Sequence, residues 1–488
     1  MLFTLQISPV RTFLSPYPTK DVSDFLYEKL RFRMNGYFYN PKYQAGIWDG
    51  FISLYRRRDN SFSTGLVPRV VKLLQEEQHE IQYDYFTDIT PRGTGEVNGI
   101  TLKDFQKTAV ERAVKYKYGI ISAVIRSGKT AIIASTISKI DRYPVFILTY
   151  GKDLVVQTRD ELEKFLGKKV GVFSESKFQP GDIIVTSYNA LVRIFSKKTS
   201  EETQHRSEET QHRNDQIKKI MAETKVLILD ESHCALTKKF SKALDGFTST
   251  GYRIGLSGTP KPGKKVMLEL EAAIGPIIYT VPFQKVIESG RITKPVVIEY
   301  EMPCAWYQEY LTEYSDAYEV NIVRNELRNR FIADLVAKLT LKNKTCFIPV
   351  RKKYHGEILR ELIPNSVYVY GDIDSDIRKD LYNRLNSGSL KCIISTVGKL
   401  GLNIPNLSAV INAEGLEADT VTVQKMRSLT AAENKEYGLV IDFIDRGKYI
   451  YEHSKSRSEK YHSLKGFTIH EIKVPENYFD RKEETNEE

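Results

Sequence analysis

The sequence predicts an α/β protein with two tandem parallel-sheet domains behind a small α+β N-terminal domain. Three observations lead there. The chain has 488 residues, enough for about three domains at roughly 150 residues each. Short apolar runs alternate with amphipathic stretches in two successive blocks, the pattern of strands covered by helices. A Pro/Gly-rich connector, TPRGTGEVNG, precedes the first block and sets residues 1–97 apart as the N-terminal domain.

In residues 98–290 the runs ISAVI, VFILT, DIIVTS, KVLILD and YRIGLSG read as strands of one parallel sheet. In residues 291–450, KTCFIPV, SVYVYG, KCIISTV, SAVINAE and GLVIDF read as a second set, and residues 451–488 form a C-terminal extension with an acidic end. Between DIIVTS and KVLILD the heptapeptide SEETQHR occurs twice in tandem, at Ser200 to Arg206 and Ser207 to Arg213. Two charged copies without an apolar stripe fit an insertion in a surface loop or exposed helix, with His205 and His212 on a solvated face.

Composition narrows the class. No stretch approaches a membrane span, since runs such as Val226 to Leu229 are short and end in charge, and the first residues lack a basic leader. A cytoplasmic protein is expected. Cys234, Cys304, Cys346 and Cys392 are scattered without CxxC or metal spacing, so they read as small core residues. A net charge of +10 favours a polyanionic partner, because lysines and arginines gain from displacing counterions around phosphates.

The strongest local signal is Ala123-Val-Ile-Arg126-Ser127-Gly128-Lys129-Thr130, after a strand and before the helix-like AIIASTISKI. It matches a phosphate-binding loop with Ala123 at the first glycine position. Such a loop wraps phosphates with backbone N–H groups at a helix N-terminus; Lys129 would contact the β- and γ-phosphates and Thr130 would ligate Mg²⁺. KVLILD ends at Asp230 and is followed by Glu231, placing two carboxylates at the carboxyl edge of a strand, where open α/β sheets bind ligands. Asp230 would hold Mg²⁺ and Glu231 would polarise the attacking water. ATP and Mg²⁺ are the cofactors this pairing calls for.

Asp230-Glu231-Ser-His233, followed by Ser257-Gly-Thr259, resembles motifs II and III of the DExH branch of superfamily 2 helicases, with two RecA-like domains and ATP bound between them. The resemblance implies further roles. Phe105 and Gln106 match the segment that packs on and reads adenine; His233, Ser257 and Thr259 match residues that couple the ATP site to the strand. Gln157, Thr186, Tyr188, His355 and Thr396 match nucleic-acid contacts, and Gly401 and Asn403 match nucleotide contacts, with Asn403 where the family usually has Asp. The Gln-x-x-Gly-Arg-x-x-Arg motif departs: it reads Gln424-Lys-Met-Arg427-Ser-Leu-Thr-Ala431, so both arginine positions are filled by other residues. Arg427 lies one residue early, about 100° around a helix, leaving the arginine finger displaced or missing.

Residues 20–72 carry ten Lys/Arg against five Asp/Glu, interleaved with aromatics. Arg56, Arg57 and Arg58 suit phosphates; Trp48, Phe51 and Tyr55 suit either base stacking or, preferably, the core of a small domain. YNPKYQAGIWDGFISLYRRR through Gly65-Leu66 resembles the N-terminal domain of UvsW-type helicases of tailed bacteriophages, and Asp442, His453, Arg457 and Tyr461 match a C-terminal pattern of that group. That resemblance implies a monomeric, ATP-dependent DNA helicase acting on branched or forked DNA in recombination and repair, with no membrane and no stable protein partner. Three rivals remain at this level: an RNA helicase, a double-stranded DNA translocase, and an ATP-regulated scaffold with a degenerate motor.

Overall fold

The computed structural model describes residues 1–34, 36–86, 89–124, 126–174, 178–195, 208–232, 238–258, 264–304, 311, 313–396, 404–416, 435–464 and 466–478. Two compact units divide the chain, Met1–Ala123 with Gly128–Val281 and Val124–Ser127 with Pro282–Glu488.

The first unit opens with β1 (Leu2–Ile7), β2 (Arg11–Ser15), β3 (Arg31–Arg33), β4 (Phe51–Ser53), β5 (Tyr55–Arg56), β6 (Ser61–Ser63) and β7 (Glu80–Tyr85). Five of these make a sheet in the order β5-β6-β2-β1-β7, while β3 and β4 pair by themselves. Period-two alternation in β1 and β2 turns Phe3, Leu5, Ile7 and Leu14 inward, against Leu26 of the helix Lys20–Lys29 and Val70 and Leu74 of the helix Val67–Glu76. Tyr55 and Phe62 belong to this core, in line with the packing reading of Tyr55.

That core does not stop at the connector. Leu268 and Ala272, on the helix Lys264–Ala273 of the following α/β domain, are part of the same apolar cluster. Gly65 allows the approach: a Cβ there would lie 2.0 Å from the carbonyl oxygen of Glu271, so only a glycine fits. Arg69 then donates two bonds to the Glu271 carboxylate, at 2.6 and 2.9 Å. The N-terminal sheet is thus docked on the first α/β domain within one compact unit, where the sequence alone sets it apart.

The first α/β sheet contains β8 (Tyr118–Ser122), β9 (Val145–Thr149), β10 (Gly171–Phe173), β11 (Phe178–Gln179), β12 (Ile183–Ser187), β13 (Val226–Leu229), β14 (Tyr252–Ser257) and β15 (Ile277–Thr280). Their order is β11-β10-β12-β9-β13-β14-β8-β15, parallel except for β11. Central strands are buried on both faces, which is why β9, β12 and β13 read as unbroken apolar runs. The second SEETQHR copy runs into the helix Glu208–Glu223; the first lies outside the described residues.

In the second unit β16 (Lys294–Glu301), β17 (Cys346–Pro349), β18 (Ser366–Val369), β19 (Cys392–Ser395), β20 (Ala409–Ile411), β21 (Tyr437–Ile444) and β22 (Thr468–Lys473) form a parallel sheet ordered β18-β19-β17-β20-β21-β16-β22. The described part of the C-terminal segment belongs to this sheet: β22 pairs with β16, and the helix Ile450–Ser463 packs on β21 through buried Arg457. Arg457 bonds the Asp442 carboxylate at 3.1 and 3.2 Å, and Tyr461 donates to the same carboxylate at 2.8 Å. A second buried pair, Arg328 with Asp445, ties the helix Glu326–Leu341 to the end of β21. Cys346 and Cys392 sit opposite each other on β17 and β19 as buried free thiols, while Cys304 is partly buried. Among the described residues no helix is long and apolar enough to cross a membrane.

Candidate nucleotide and nucleic-acid site

The carboxyl ends of three adjacent strands, β13, β14 and β8, assemble the site within the first unit. β8 ends at Ser122 and the backbone N–H of Ala123 donates to the carbonyl of Ser257, at 2.8 Å, locking the start of the phosphate loop to the end of β14. The loop turns at Gly128, whose φ of 80° is left-handed and costs a glycine nothing. Lys129 then opens the helix Lys129–Ile140, anchored by buried Ile132, Ile133, Ile137 and Ile140. The N–H groups of the first helical turn face this end of the sheet, the arrangement that binds phosphate. Arg126 is partly buried with φ of 62°, Ser127 is fully buried, and Thr130 is partly buried in the first helical turn.

β13 delivers the acids. Glu231 has φ of 49°, so the chain turns sharply straight after Asp230, and the Glu231 N–H donates to Asp230 Oδ1 at 3.0 Å. Lys129 Nζ lies 2.5 Å from Glu231 Oε1. Loss of hydration pushes the Asp230 carboxyl up to about 6; the Lys129 ammonium opposes this and the Glu231 charge adds to it. Ala123, Gly128, Lys129, Asp230, Glu231 and Ser257 therefore come together.

The donor set fits a Mg²⁺-nucleotide. A carboxylate held above its ordinary range beside a second carboxylate is relieved by a divalent cation, and an ammonium at this helix N-terminus can meet a polyphosphate. Asp230 and Thr130 would hold the metal and Lys129 the phosphates.

Other expected site residues are placed less directly. Phe105 and Gln106 are buried, and the Gln106 side chain caps its own helix by accepting from the Lys103 N–H at 2.9 Å. Thr186 is buried and donates to the carbonyl of Phe173, while Tyr188 packs edge-on to Phe240 and donates to the carbonyl of Asp230 at 2.7 Å. Of the two, Tyr188 touches the site directly, through Asp230. His355 is fully buried against Asn329 at 3.0 Å, and burial lowers its pKa to about 3, so the structure makes it a neutral packing residue where a strand contact is expected. Gln157 is exposed and bonded to Glu161; Thr396 is partly buried at the end of β19. Arg56, Arg57 and Arg58 are exposed at the edge strand of the N-terminal sheet, with Arg57 paired to Asp24 at 2.7 Å and lying 3.9 Å from the Tyr27 ring centroid. His233, Thr259, Gly401, Asn403, Gln424 and Arg427 lie outside the described residues.

One buried residue of this sheet is silent in the sequence. Arg253 on β14 is buried and donates to the carbonyls of Pro9 and Ala273, fixing the β1–β2 turn against the motor sheet. The only hint is an arginine inside an otherwise apolar strand, YRIGLSG.

The comparisons agree with this architecture. Residues 19–84 match the family described as DNA helicase UvsW, N-terminal; residues 99–262 match type III restriction enzyme, res subunit; residues 328–427 match the helicase conserved C-terminal domain. The chain is 22% identical over 516 aligned positions to the ATP-dependent DNA helicase uvsW of Enterobacteria phage T4, covering 95% of each. It is 23% identical to the DNA 3'-5' translocase XPB2 of Sulfurisphaera tokodaii, covering 74% of this chain and 85% of that protein. Among solved structures, an HsdR subunit fragment of a type I restriction enzyme from Vibrio vulnificus shares the fold at TM-score 0.56 and 15% identity, over 77% of this chain and 69% of that one. A UvsW-type N-terminal match followed by two helicase-motor matches makes the chain similar in organisation to superfamily 2 helicases of the UvsW type.

Proposed function

We propose that the protein is an ATP-dependent DNA helicase and translocase that remodels branched DNA, by branch migration or by reversal of forks and R-loops. The observation that carries this is the convergence of Lys129 with Asp230 and Glu231 beyond the ends of β8 and β13, on either side of β14, with 2.5 Å separating the lysine from the proposed catalytic glutamate. The phage T4 relative is an ATP-dependent DNA helicase and the S. tokodaii relative a DNA translocase, which favours DNA over RNA.

In this reading Lys129 leaves Glu231 for the β- and γ-phosphates when ATP enters. The freed Glu231 carboxylate then accepts a hydrogen bond from the attacking water and orients it. Bound Mg²⁺ would neutralise charge building on the phosphate oxygens. Ser257, bonded through its carbonyl to Ala123, passes displacement of the phosphate loop to β14. Gln157 and the exposed arginines 56–58 supply sequence-independent contacts with the DNA backbone. Arg427 is the candidate finger, Gln424 a candidate catalytic residue of the same motif, and Gly401 and Asn403 the candidate nucleotide contacts of the second domain. Arg427→Ala is expected to reduce DNA-stimulated turnover by at least about a hundredfold while sparing ATP binding; unchanged turnover assigns that work elsewhere.

A four-way junction assay tests the function itself. Wild-type protein with ATP is expected to resolve a mobile junction into duplex products, and Glu231→Gln to bind the junction without converting it. A wild-type protein that turns over ATP on RNA and leaves junctions intact would favour the RNA reading.

A further inference from the structure

The first unit carries a second groove, at the opposite edge of the motor sheet from the nucleotide site. β8 begins at Tyr118 and ends at the phosphate loop, so the residues just before Tyr118 lie about 17 Å from that loop along a five-residue strand. There the end of the helix Asp104–Tyr116 meets β7, the edge strand of the N-terminal sheet, around a cavity of about 610 Å³.

Its lining has an unusual chemistry. Tyr83 and Tyr85 project from the same face of β7, with rings 6.2 Å apart and only 20° from parallel, and they are 46% and 52% exposed. Tyr116 across the groove is 45% exposed. Edge strands are normally protected by charge, and large exposed aromatics on one mark a binding surface. Cations surround these rings: Lys117 Nζ is 5.8 Å from the Tyr85 centroid, Lys115 Nζ is 5.7 Å from that of Tyr116, and Arg112 donates to the Tyr116 hydroxyl at 3.1 Å. Asp84 falls on the other face of β7 by alternation.

The groove is also preformed. The Tyr118 hydroxyl, on its floor, lies 2.8 Å from the carbonyl of Thr250 and 3.3 Å from that of Pro9, and buried Arg253 donates to Pro9 as well. These bonds join its two walls, and Arg69 with Glu271 joins them again farther back. Little ordering is left to be done on binding.

We propose that this groove holds an unpaired DNA strand, with bases stacked on Tyr83, Tyr85 and Tyr116 and phosphates met by Arg112, Lys115 and Lys117. Interleaved aromatics and cations suit a strand whose base faces are open, whereas a duplex hides those faces in its own stack. The proposal rests on the protein being a DNA motor and adds where a displaced arm of a branch is held, away from the strand the motor pulls.

The test uses the full-length protein without nucleotide. A fork bearing an unpaired arm substituted with 5-iodouracil is irradiated and the crosslinks mapped, and affinity for the same fork is compared with that for a blunt duplex. Crosslinks at Tyr83, Tyr85 or Tyr116 are expected. Tyr83→Ala with Tyr85→Ala is expected to weaken fork binding about tenfold or more, leave blunt-duplex binding unchanged, and be rescued by the double Phe variant. Lys115→Glu with Lys117→Glu is expected to weaken it similarly. Crosslinks only elsewhere, with fork affinity unchanged in both variants, would overturn the groove assignment. A wild-type protein whose ATP turnover ignores DNA would instead sink the motor reading, a result the nucleotide-free crosslinks do not depend on.

Discussion

Lys129 and Glu231 neutralise each other at 2.5 Å, so each positions the other. Removing either has distinct consequences. Lys129→Ala is expected to abolish ATP binding and turnover together, whereas Glu231→Gln retains binding and loses turnover by about a hundredfold or more, measured by fluorescent-nucleotide titration beside phosphate release. Asp230 adds a pH dependence. Its carboxyl is raised from 3.8 to about 6 by loss of hydration, so it is ionised above that pH and protonated below it. In the proposed role only the ionised form would hold Mg²⁺, so turnover is expected to fall as pH drops through about 6, with the fall moving lower at higher Mg²⁺. A flat rate from pH 8 to pH 5 would contradict that assignment. These residues were legible in the sequence because each motif is contiguous and its strand-loop-helix setting is local. Thr186, Tyr188 and His355 were legible only as resemblances; their burial depends on Phe173, Phe240 and Asn329, which no local pattern reveals.

At the scale of elements, the helix Ile450–Ser463 is fastened by one arginine. Arg457 reaches Asp442, Ser454 and the Phe443 carbonyl in the interior, and the carbonyl of partly buried Leu416. Arg457→Ala would leave Asp442 buried without its cation, a loss of about 3–5 kcal/mol that urea titration should read; Lys is not expected to rescue it, lacking the planar fork. The parallel register of β16 and β22 sets Glu299 opposite Glu471, and burial, with Asp442 nearby, pushes Glu299 up to about 7. A carboxyl raised from its ordinary 4.5 costs stability once ionised, so the penalty is absent at low pH and complete above about 7. Glu299→Gln is accordingly expected to raise Tm at pH 8.5 and to change it much less at pH 5. The apolar strands β17 to β21 were readable because a buried parallel strand is a short apolar run. β16 and β22 were not: KPVVIEYE and TIHEIK are mixed, and only pairing with each other and with β21 makes them strands.

Across the first unit, the N-terminal sheet shares a core with Leu268 and Ala272 and an ion pair with Glu271. Deleting residues 1–97 would expose that apolar face and leave Glu271 without its partner, so the truncated chain is expected to melt several degrees lower by calorimetry. An unchanged Tm would show that the sheet is an independent module. Substrate preference is better probed at the surface: replacing Arg56, Arg57 and Arg58 by alanine is expected to flatten the salt dependence of junction binding, by about 0.9 in logarithmic slope for each phosphate that an arginine no longer neutralises. The most direct test of the central claim is ATP turnover measured with no nucleic acid, single-stranded DNA, a four-way junction and RNA, beside the Lys129→Ala variant. Turnover raised most by the junction and eliminated in the variant is the expected result; turnover that no nucleic acid stimulates, or that survives the loss of Lys129, would contradict a DNA motor powered from this site.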